Sequence, residues 1–355
     1  MSYEVTIEPT GEIVEVEEGQ TLLDAALRQG VWLPFACGHG TCGTCKVQVL
    51  EGEAEVGEAS SFALMDMERD EGFRLACCCR PESDLVIEAD VDEDPDFAGH
   101  PVQDWTATVS TIADLTPTIR EIRLTLPGEG MAFQAGQYIN LQVPGVEGTR
   151  AFSIATAPGT PNEIALHVRR VEGGAATTWL HEQLEEGQAL ELSGPYGQFF
   201  VRKSDPKDVI FIAGGSGLSS PESMILDLLD DPEDTRRITL FQGARHLAEL
   251  YHRERFEALA AEHPRFDYVP ALNAPLDDDA WDGVVGFVHD AAIAHFDGRF
   301  SEHKAYLCGP PPMIESAIGA LMKGRLFERD IHMERFLTAA DGAETQQRSA
   351  LFKRI

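Results

Sequence analysis

Apolar and polar positions alternate at residues 3–7 and 13–16, on either side of Pro9-Thr10-Gly11, and this period of two predicts a hairpin of two strands. The spacing then changes. Leu22–Arg28 carries its apolar residues at helical intervals, with Thr21 as the cap and Gly30 as the stop. A loop rich in Gly and Cys runs from Cys37 to Cys45, and residues 46–50 and 85–89 return to strand pattern. From Trp105 to about Phe200, short strands at 119–126, 139–143, 164–169 and 189–192 are separated by turn residues, with one helix at 178–184. That rhythm predicts an antiparallel barrel. After Pro206, strands at 209–213, 238–241, 268–271 and 305–308 alternate with helices near 224–229, 249–262 and 314–323. Alternation of this kind implies a parallel sheet with helical crossovers.

The acidic, proline-containing stretch Asp90-Val-Asp-Glu-Asp-Pro-Asp-Phe reads as a boundary between domains. The expected division is therefore a small β-rich domain over 1–92, a linker over 93–102, a barrel over 103–203, an α/β domain over 204–336 and a tail over 337–355. The fold class is multidomain, α+β followed by α/β.

Charge narrows the partners. The formal net charge is −32, which argues against nucleic acid, whose phosphates need cations to neutralise them. Residues 1–96 alone carry 23 Asp and Glu against 5 Lys and Arg. Such a surface suits electrostatic steering toward a partner, or simply keeps the domain soluble. No apolar run approaches a membrane span, and the N-terminus has no basic start or apolar signal core, so a cytoplasmic protein is expected.

Six of the seven cysteines lie between Cys37 and Cys79. In a cytosolic chain, clustered cysteines are more often metal ligands than disulfides. The loop Cys37-Gly-His-Gly-Thr-Cys42-Gly-Thr-Cys45 has the C-x4-C-x2-C spacing of a plant-type [2Fe–2S] site. Glycines at 38, 40 and 43 allow the backbone to wrap tightly around such a cluster. The fourth ligand must come from Cys77-Cys78-Cys79, and Cys77 is expected, following Arg74-Leu-Ala, with Cys78 and Cys79 as small apolar fillers. Cys37-Gly-His39 resembles half of a Rieske site, but Cys42-x-x-Cys45 supplies no second histidine. A structural zinc site fits three close cysteines and one distant one poorly.

Three further signals suit nucleotides. Arg150-Ala-Phe-Ser153 offers a cation, a hydroxyl and, in Phe152, a flat face for an isoalloxazine. Arg169-Arg-Val-Glu-Gly173-Gly174-Ala-Ala-Thr177 places two glycines and a hydroxyl where a helix begins, which suits a pyrophosphate. Phe211-Ile-Ala-Gly214-Gly215-Ser-Gly217 is strand, glycine loop, then helix, as a dinucleotide phosphate requires, although it is not GxGxxG. Cys308-Gly309-Pro310 follows another strand and should open at the same carboxyl edge, with Cys308 near a nicotinamide or as a buried core thiol. Arg245, after the second strand of this domain, is a candidate for meeting a 2′-phosphate.

With these residues in view, the N-terminal third resembles plant-type ferredoxins and the remainder resembles the ferredoxin–NADP reductase superfamily. There an Arg-x-Tyr-Ser motif binds FAD; here Phe152 replaces the tyrosine, losing a hydroxyl and keeping the ring. The whole chain resembles the reductase components of multicomponent phenol hydroxylases. Leu33-Pro-Phe-Ala-Cys-Gly-His-Gly-Thr-Cys, Glu88-Ala-Asp-Val-Asp, Leu192-Ser-Gly-Pro-Tyr-Gly-Gln-Phe-Phe and Gly324-Arg-Leu-Phe-Glu-Arg-Asp-Ile carry that resemblance. It implies a β-grasp ferredoxin domain, a FAD-binding β-barrel and an NAD-binding α/β domain. It places Arg150, Phe152, Ser153, Gly174 and Thr177 around FAD, and Gly214, Gly215, Gly217, Cys308 and Gly309 near NADH. An aromatic residue near the C-terminus covers the flavin in relatives, and Phe336 is the candidate, with core packing as its plainer role.

The expected activity is NADH oxidation with single electrons passed to the di-iron hydroxylase component of a phenol monooxygenase. A toluene- or methane-type monooxygenase, or a ring-hydroxylating dioxygenase, is the alternative acceptor. A non-enzymatic iron–sulfur redox sensor or carrier is the alternative from another class, and two nucleotide sites argue against it. No Ser/His/Asp or paired-carboxylate arrangement calls for acid–base chemistry.

Overall fold

The computed structural model describes residues 1–91 and 94–336, so the expected tail at 337–355 and the first linker residue lie outside the described residues. The described chain divides into two units, Met1–Gln103 and a second beginning at Asp104.

The first unit is a mixed five-stranded sheet in the order Glu12–Glu17, Ser2–Glu8, Leu85–Ala89, Lys46–Glu51, Phe73–Leu75. The expected hairpin forms, with Val5 opposite Val14 and both buried. Ser2–Glu8 and Leu85–Ala89 pair in parallel, which joins the two ends of the unit through its centre. The helix Leu22–Arg28 packs on this sheet with Leu22, Leu23, Ala25, Ala26 and Leu27 buried. Thr21 caps it, accepting from the Asp24 amide at 3.4 Å. The segment expected to be a linker lies against this unit: the Val102 amide donates to Leu27 O at 3.0 Å, and Phe97 meets Trp32 edge-on with ring centroids 5.7 Å apart.

In the second unit, six antiparallel strands run in the order Thr149–Ser153, Tyr138–Gln142, Ala189–Tyr196, Gln103–Asp114, Ile119–Thr125, Glu163–Arg169. A bridge between Ile154 and Leu166 brings the two edges together, so the sheet nearly closes as a barrel. Its interior is filled by side chains such as Ile122, Leu124, Ile139, Leu141, Ile164 and Leu166. The helix Ala175–Glu182 starts three residues before the expected 178, directly after Gly174, so Thr177 lies inside its first turn.

The α/β part is a fully parallel sheet in the order Val284–Val285, Phe266–Leu272, Ile238–Ala244, Asp208–Gly214, His303–Gly309, Ile331–Arg335. Successive strands move outward on one side of Asp208–Gly214, and the chain then returns to its other side with His303–Gly309. That reversal between adjacent strands is where α/β sheets open a crevice for ligands. The helix expected at 249–262 begins only at Arg253. Before it, Tyr251 turns inward and donates to Gly215 O at 3.2 Å, and His252 adopts a left-handed backbone with φ 56°. Burying the Tyr251 ring between the two sheets breaks the helical run that the periodicity suggested. No helix among the described residues is long and apolar enough to cross a membrane.

Candidate cofactor sites

The cysteine loop is held from both ends. Glycines 38, 40 and 43 all have positive φ, and a Cβ on Gly40 would lie 2.6 Å from Cys78 Sγ. The Ser60 amide donates to Gly40 O at 2.9 Å, so the chain over residues 57–63 lies on the loop. Within this frame Cys45 Sγ and Cys77 Sγ are 3.3 Å apart. Cys37 takes hydrogen bonds from Cys42 and Cys77 and from the Thr41 amide, and these hold its thiol far below the ordinary range despite partial burial. The four sulfurs are thus linked pairwise in the order Cys42, Cys37, Cys77, Cys45, and all are free thiols.

This spread decides between metal readings. Four thiolates on one zinc at about 2.3 Å would all lie within about 4 Å of one another. Among the described residues, the one trio of metal-ligating side chains with donor atoms mutually within 4.8 Å is Glu121, His167 and His252, elsewhere in the chain. The cysteines are strung more widely, which fits a two-iron cluster better than a single ion. His39 turns back on its own loop, with Nδ1 2.6 Å from Cys37 O and Nε2 3.2 Å from Thr41 Oγ1, so both ring nitrogens are engaged. Cys79 is buried under the helix Leu22–Arg28, and burial pushes its thiol up to about 12. Cys78 is buried too, with its sulfur 3.7 Å from that of Cys77.

In the second unit the expected motifs converge. Gly214 ends one strand and Gly309 ends its neighbour. A Cβ on Gly217 would stand 2.5 Å from Cys308 O and 2.6 Å from Gly309 Cα, so only glycine lets the two loops meet. Gly215 has φ 57°, and Arg169 reaches the same loop from the barrel, with Nη1 3.6 Å from where a Gly215 Cβ would be. Pro310 precedes the thirteen-residue helix Pro311–Lys323, and the glycine loop runs into the helix Ser219–Asp230. The glycine loop that opens the Ser219–Asp230 helix suits an anion at the sheet edge, whereas Pro310, Pro311 and Pro312 open the other without an N–H.

The barrel motif reaches this edge through a residue that sequence reasoning missed. Glu334, on the short strand Ile331–Arg335, accepts from Ser153 Oγ at 3.2 Å and from Ser220 Oγ at 2.9 Å, with Cys308 Sγ 3.8 Å away. Its burial raises the carboxyl above its ordinary value, while the three donors work the other way. Burial and the nearby Glu334 likewise keep Cys308 a neutral thiol. Ser153 of the barrel and Cys308 of the nucleotide domain, 155 positions apart in the chain, therefore share one carboxylate. No local signal marks Glu334, because its burial exists only once the last strand has paired.

The other expected residues make mostly local contacts. Arg150 is exposed on the strand edge, bonded to Glu147 O and Thr149 O at 3.2 and 2.8 Å. Phe152 packs partly against the barrel core. Gly173 has φ 71° and Gly174 caps the helix, while Thr177 Oγ1 accepts from the Val171 amide at 3.1 Å and donates to Gly174 O, tightening the turn. Phe336 packs against the nucleotide-domain core, and its amide donates to Gly309 O at 3.1 Å.

Comparison with known proteins gives this geometry a lineage. Three family models match in turn: a 2Fe-2S iron-sulfur cluster binding domain over residues 5–82, an oxidoreductase FAD-binding domain over 106–201 and an oxidoreductase NAD-binding domain over 211–318. The chain is 70% identical to the phenol 2-monooxygenase reductase component DmpP of Pseudomonas sp. (strain CF600), over 100% of both chains. The chain belongs to the family of phenol hydroxylase reductase components. Like other members of that family, this reductase is an NADH oxidoreductase with [2Fe–2S], FAD and NAD domains in one chain. The reductase subunit of an aromatic O-demethylase from Amycolatopsis sp. is 40% identical, covering 96% of this reductase and all of its relative. Among solved structures, a ferredoxin reductase in carbazole 1,9a-dioxygenase superposes with a TM-score of 0.75 at 26% identity, covering 95% of this reductase and 99% of that chain.

A buried polar seam joins the barrel to the α/β part of the reductase. His167 Nδ1 lies 3.1 Å from Tyr251 Oη, its Nε2 faces Glu121 Oε2 at 3.6 Å, and His252 Nδ1 lies 2.9 Å from Glu222 Oε2. Burial works to raise the Glu121 carboxyl, but His167 and Arg123 outweigh it and hold the value down to about 2. A carboxyl depressed in the folded state stabilises above its unfolded value and loses that contribution as pH falls toward the folded one. Glu121→Gln is expected to destabilise this unit at pH 7 by about 3 kcal/mol, with the deficit shrinking between about pH 5 and pH 2. Urea unfolding at a series of pH values checks this; a deficit that does not change with pH would remove the ionised pair from the explanation.

Proposed function

We propose that this reductase takes electrons from NADH and delivers them singly to the di-iron hydroxylase component of a phenol-oxidising monooxygenase in the cytoplasm. The observation that carries the route is the shared carboxylate of Glu334, which ties the strand expected to hold FAD to the loop expected to face the nicotinamide. The proposed domain division is 1–92, 103–203 and 204–336, with residues 93–102 between the first two.

Cys37, Cys42, Cys45 and Cys77 are the proposed cluster ligands. Arg150, Phe152, Ser153, Arg169, Gly173, Gly174, Thr177 and Phe336 are proposed for FAD, and Gly214, Gly215, Gly217, Cys308, Gly309 and Pro310 for NADH. When bound, FAD converts the two-electron hydride of NADH into single electrons, and the cluster carries them one at a time. The residues supply position. Ser153 and Ser220 fix the Glu334 carboxylate from two sides, and the neutral Cys308 thiol fills the floor beside it. The glycine loop at 214–217 would offer its backbone amides to a phosphate. Buried Glu334 and Cys308 would exclude water from a ring bound beside them.

Anaerobic titration with NADH tests the reading through absorbance and electron paramagnetic resonance. Flavin bleaching followed by a reduced [2Fe–2S] signal is expected. Bleaching without that signal would break the proposed route, and no bleaching would remove NADH as donor.

The partner reading makes a prediction of its own. Phe62 is 96% exposed on the chain segment that covers the cluster loop, with Met65 and Met67 also exposed and Asp66, Glu68 and Asp70 between and beside them. An exposed aromatic and two exposed methionines in an acidic stretch of chain suit a basic-rimmed apolar patch on the hydroxylase. Phe62→Ala should raise the half-saturating hydroxylase concentration roughly tenfold, as expected for loss of an aromatic anchor, while NADH-driven cluster reduction keeps its rate. Equal hydroxylase titration curves for the two proteins would place docking elsewhere.

A further inference from the structure

The polar seam between the barrel and the α/β part holds an arrangement that an ion pair alone does not satisfy. Glu121 lies on the strand Ile119–Thr125, His167 on Glu163–Arg169 and His252 just before the helix Arg253–Glu262. One ligand atom from each lies within 4.8 Å of the others. The His167 side chain is fully buried, and those of Glu121 and His252 are only 12% and 16% exposed. The two imidazole rings meet edge-on, with centroids 5.3 Å apart. His252 holds its left-handed backbone at this point, an uncommon state for a residue with a Cβ.

The ring protons follow from the partners. Tyr251 gives its single hydroxyl proton to Gly215 O at 3.2 Å, so His167 Nδ1, 3.1 Å from the same hydroxyl oxygen, must donate to it. In the neutral ring that leaves Nε2 with a lone pair. Nε2 makes no hydrogen bond among the described residues, yet it faces Glu121 Oε2 at 3.6 Å. Arg123 holds this carboxylate chiefly at Oε1, with Nε at 2.8 Å, and reaches Oε2 only at 3.4 Å. A nitrogen lone pair and a carboxylate oxygen repel unless a cation stands between them. A proton on Nε2 would charge a fully buried ring and still leave a gap too long for a hydrogen bond. In the other ring, Glu222 is bonded to Arg255 through Oε1 and accepts from His252 Nδ1 through Oε2 at 2.9 Å. The neutral His252 ring therefore keeps its lone pair on Nε2.

We propose that Glu121, His167 and His252 form a site for a divalent transition-metal ion of the zinc class. Two donors on one zinc ion at about 2.0–2.1 Å stand about 3.4 Å apart in tetrahedral geometry, close to the 3.6 Å between His167 Nε2 and Glu121 Oε2. Three protein ligands leave the fourth position open to water. Both rings already carry the outer partners that metal-bound imidazoles have, Tyr251 on one and Glu222 on the other. Two ligands belong to the barrel and one to the α/β part, so a bound ion clips the two together. Tyr251 connects that clip to the glycine loop through Gly215 O.

Zinc binding by the intact, untagged protein carrying FAD and its cluster tests this, beside His252→Gln and Tyr251→Phe. Equilibrium dialysis against Zn2+ should give the wild type one tight ion more than His252→Gln, in which the affinity falls by at least about a hundredfold. Tyr251→Phe keeps every ligand and loses only an outer partner, so its affinity should fall roughly tenfold. Saturating zinc should raise the unfolding temperature of the wild type by about 5 °C and leave that of His252→Gln unchanged. X-ray absorption at the zinc edge, on wild type loaded to half an equivalent, should show imidazole and oxygen neighbours and no sulfur, and it decides the matter if the variants fail to fold. Equal zinc in wild type and His252→Gln, a sulfur shell at about 2.3 Å from displacement at the cysteines, or no tight ion in the wild type overturns the proposal.

Discussion

Serine in place of Cys77 is expected to leave a folded, FAD-loaded protein that oxidises NADH but has lost its iron–sulfur signal and its transfer to the hydroxylase. Cys77 is the proposed link between the two sulfur pairs, bonded to Cys37 on one side and 3.3 Å from Cys45 on the other. A serine oxygen is a harder and less readily ionised donor, and losing even an outer-shell partner of a metal site costs roughly 10–100-fold in affinity or activity. Transfer to the hydroxylase should therefore fall by at least about a hundredfold. The iron-to-flavin ratio and the paramagnetic signal of the reduced protein measure this. Normal iron content would show that Cys78, whose sulfur is 3.7 Å from that of Cys77, takes the ligand position instead.

Glu334→Ala carries the second large effect. Its carboxylate holds two hydroxyls from two parts of the chain, so its loss releases Ser153, Ser220 and Cys308 together. Misplacement of a reacting partner by about 1 Å costs on the order of a hundredfold in rate. Stopped-flow reduction of the flavin by NADH should slow by about that factor, with a smaller change in NADH affinity. Glu334→Gln keeps one acceptor oxygen and should retain most of the rate. Flavin reduction in the alanine variant at the wild-type rate would reduce Glu334 to a packing residue.

Much of this architecture is legible in the sequence. The hairpin at the N-terminus, the Thr21-capped helix and the parallel strand alternation after Pro206 are local patterns, and each side chain that sets them acts within a few positions. The proposed cluster cysteines stand out in the sequence because three of them share one loop. Long-range burial was not legible. Glu334 sits in Met333-Glu-Arg, where it looks like any surface acid, and becomes a buried acceptor only through parallel pairing with His303–Gly309. The helix expected from residue 249 was delayed for a similar reason: Tyr251 has a better site inside the seam than on a helix face. The pairing of Arg245 with Glu249 has helical spacing, yet the intervening turn is not a continuous helix, and only the fold shows that the arginine is occupied.

The docking of residues 97–102 onto the first unit changes how that unit can be excised. A ferredoxin fragment ending at residue 92 would strip Trp32 of its Phe97 neighbour and remove the Val102 amide that satisfies Leu27 O at the end of the helix. It would also uncover Gly30, packed so close to Gly99 that a Cβ would stand 2.5 Å from Gly99 O. The helix those residues close is the one that lies over Cys79, through the Leu22 amide and Cys79 O. The shortest fragment that keeps the surroundings of the proposed cluster intact therefore ends at Gln103, eleven residues beyond the boundary at residue 92 expected from the sequence.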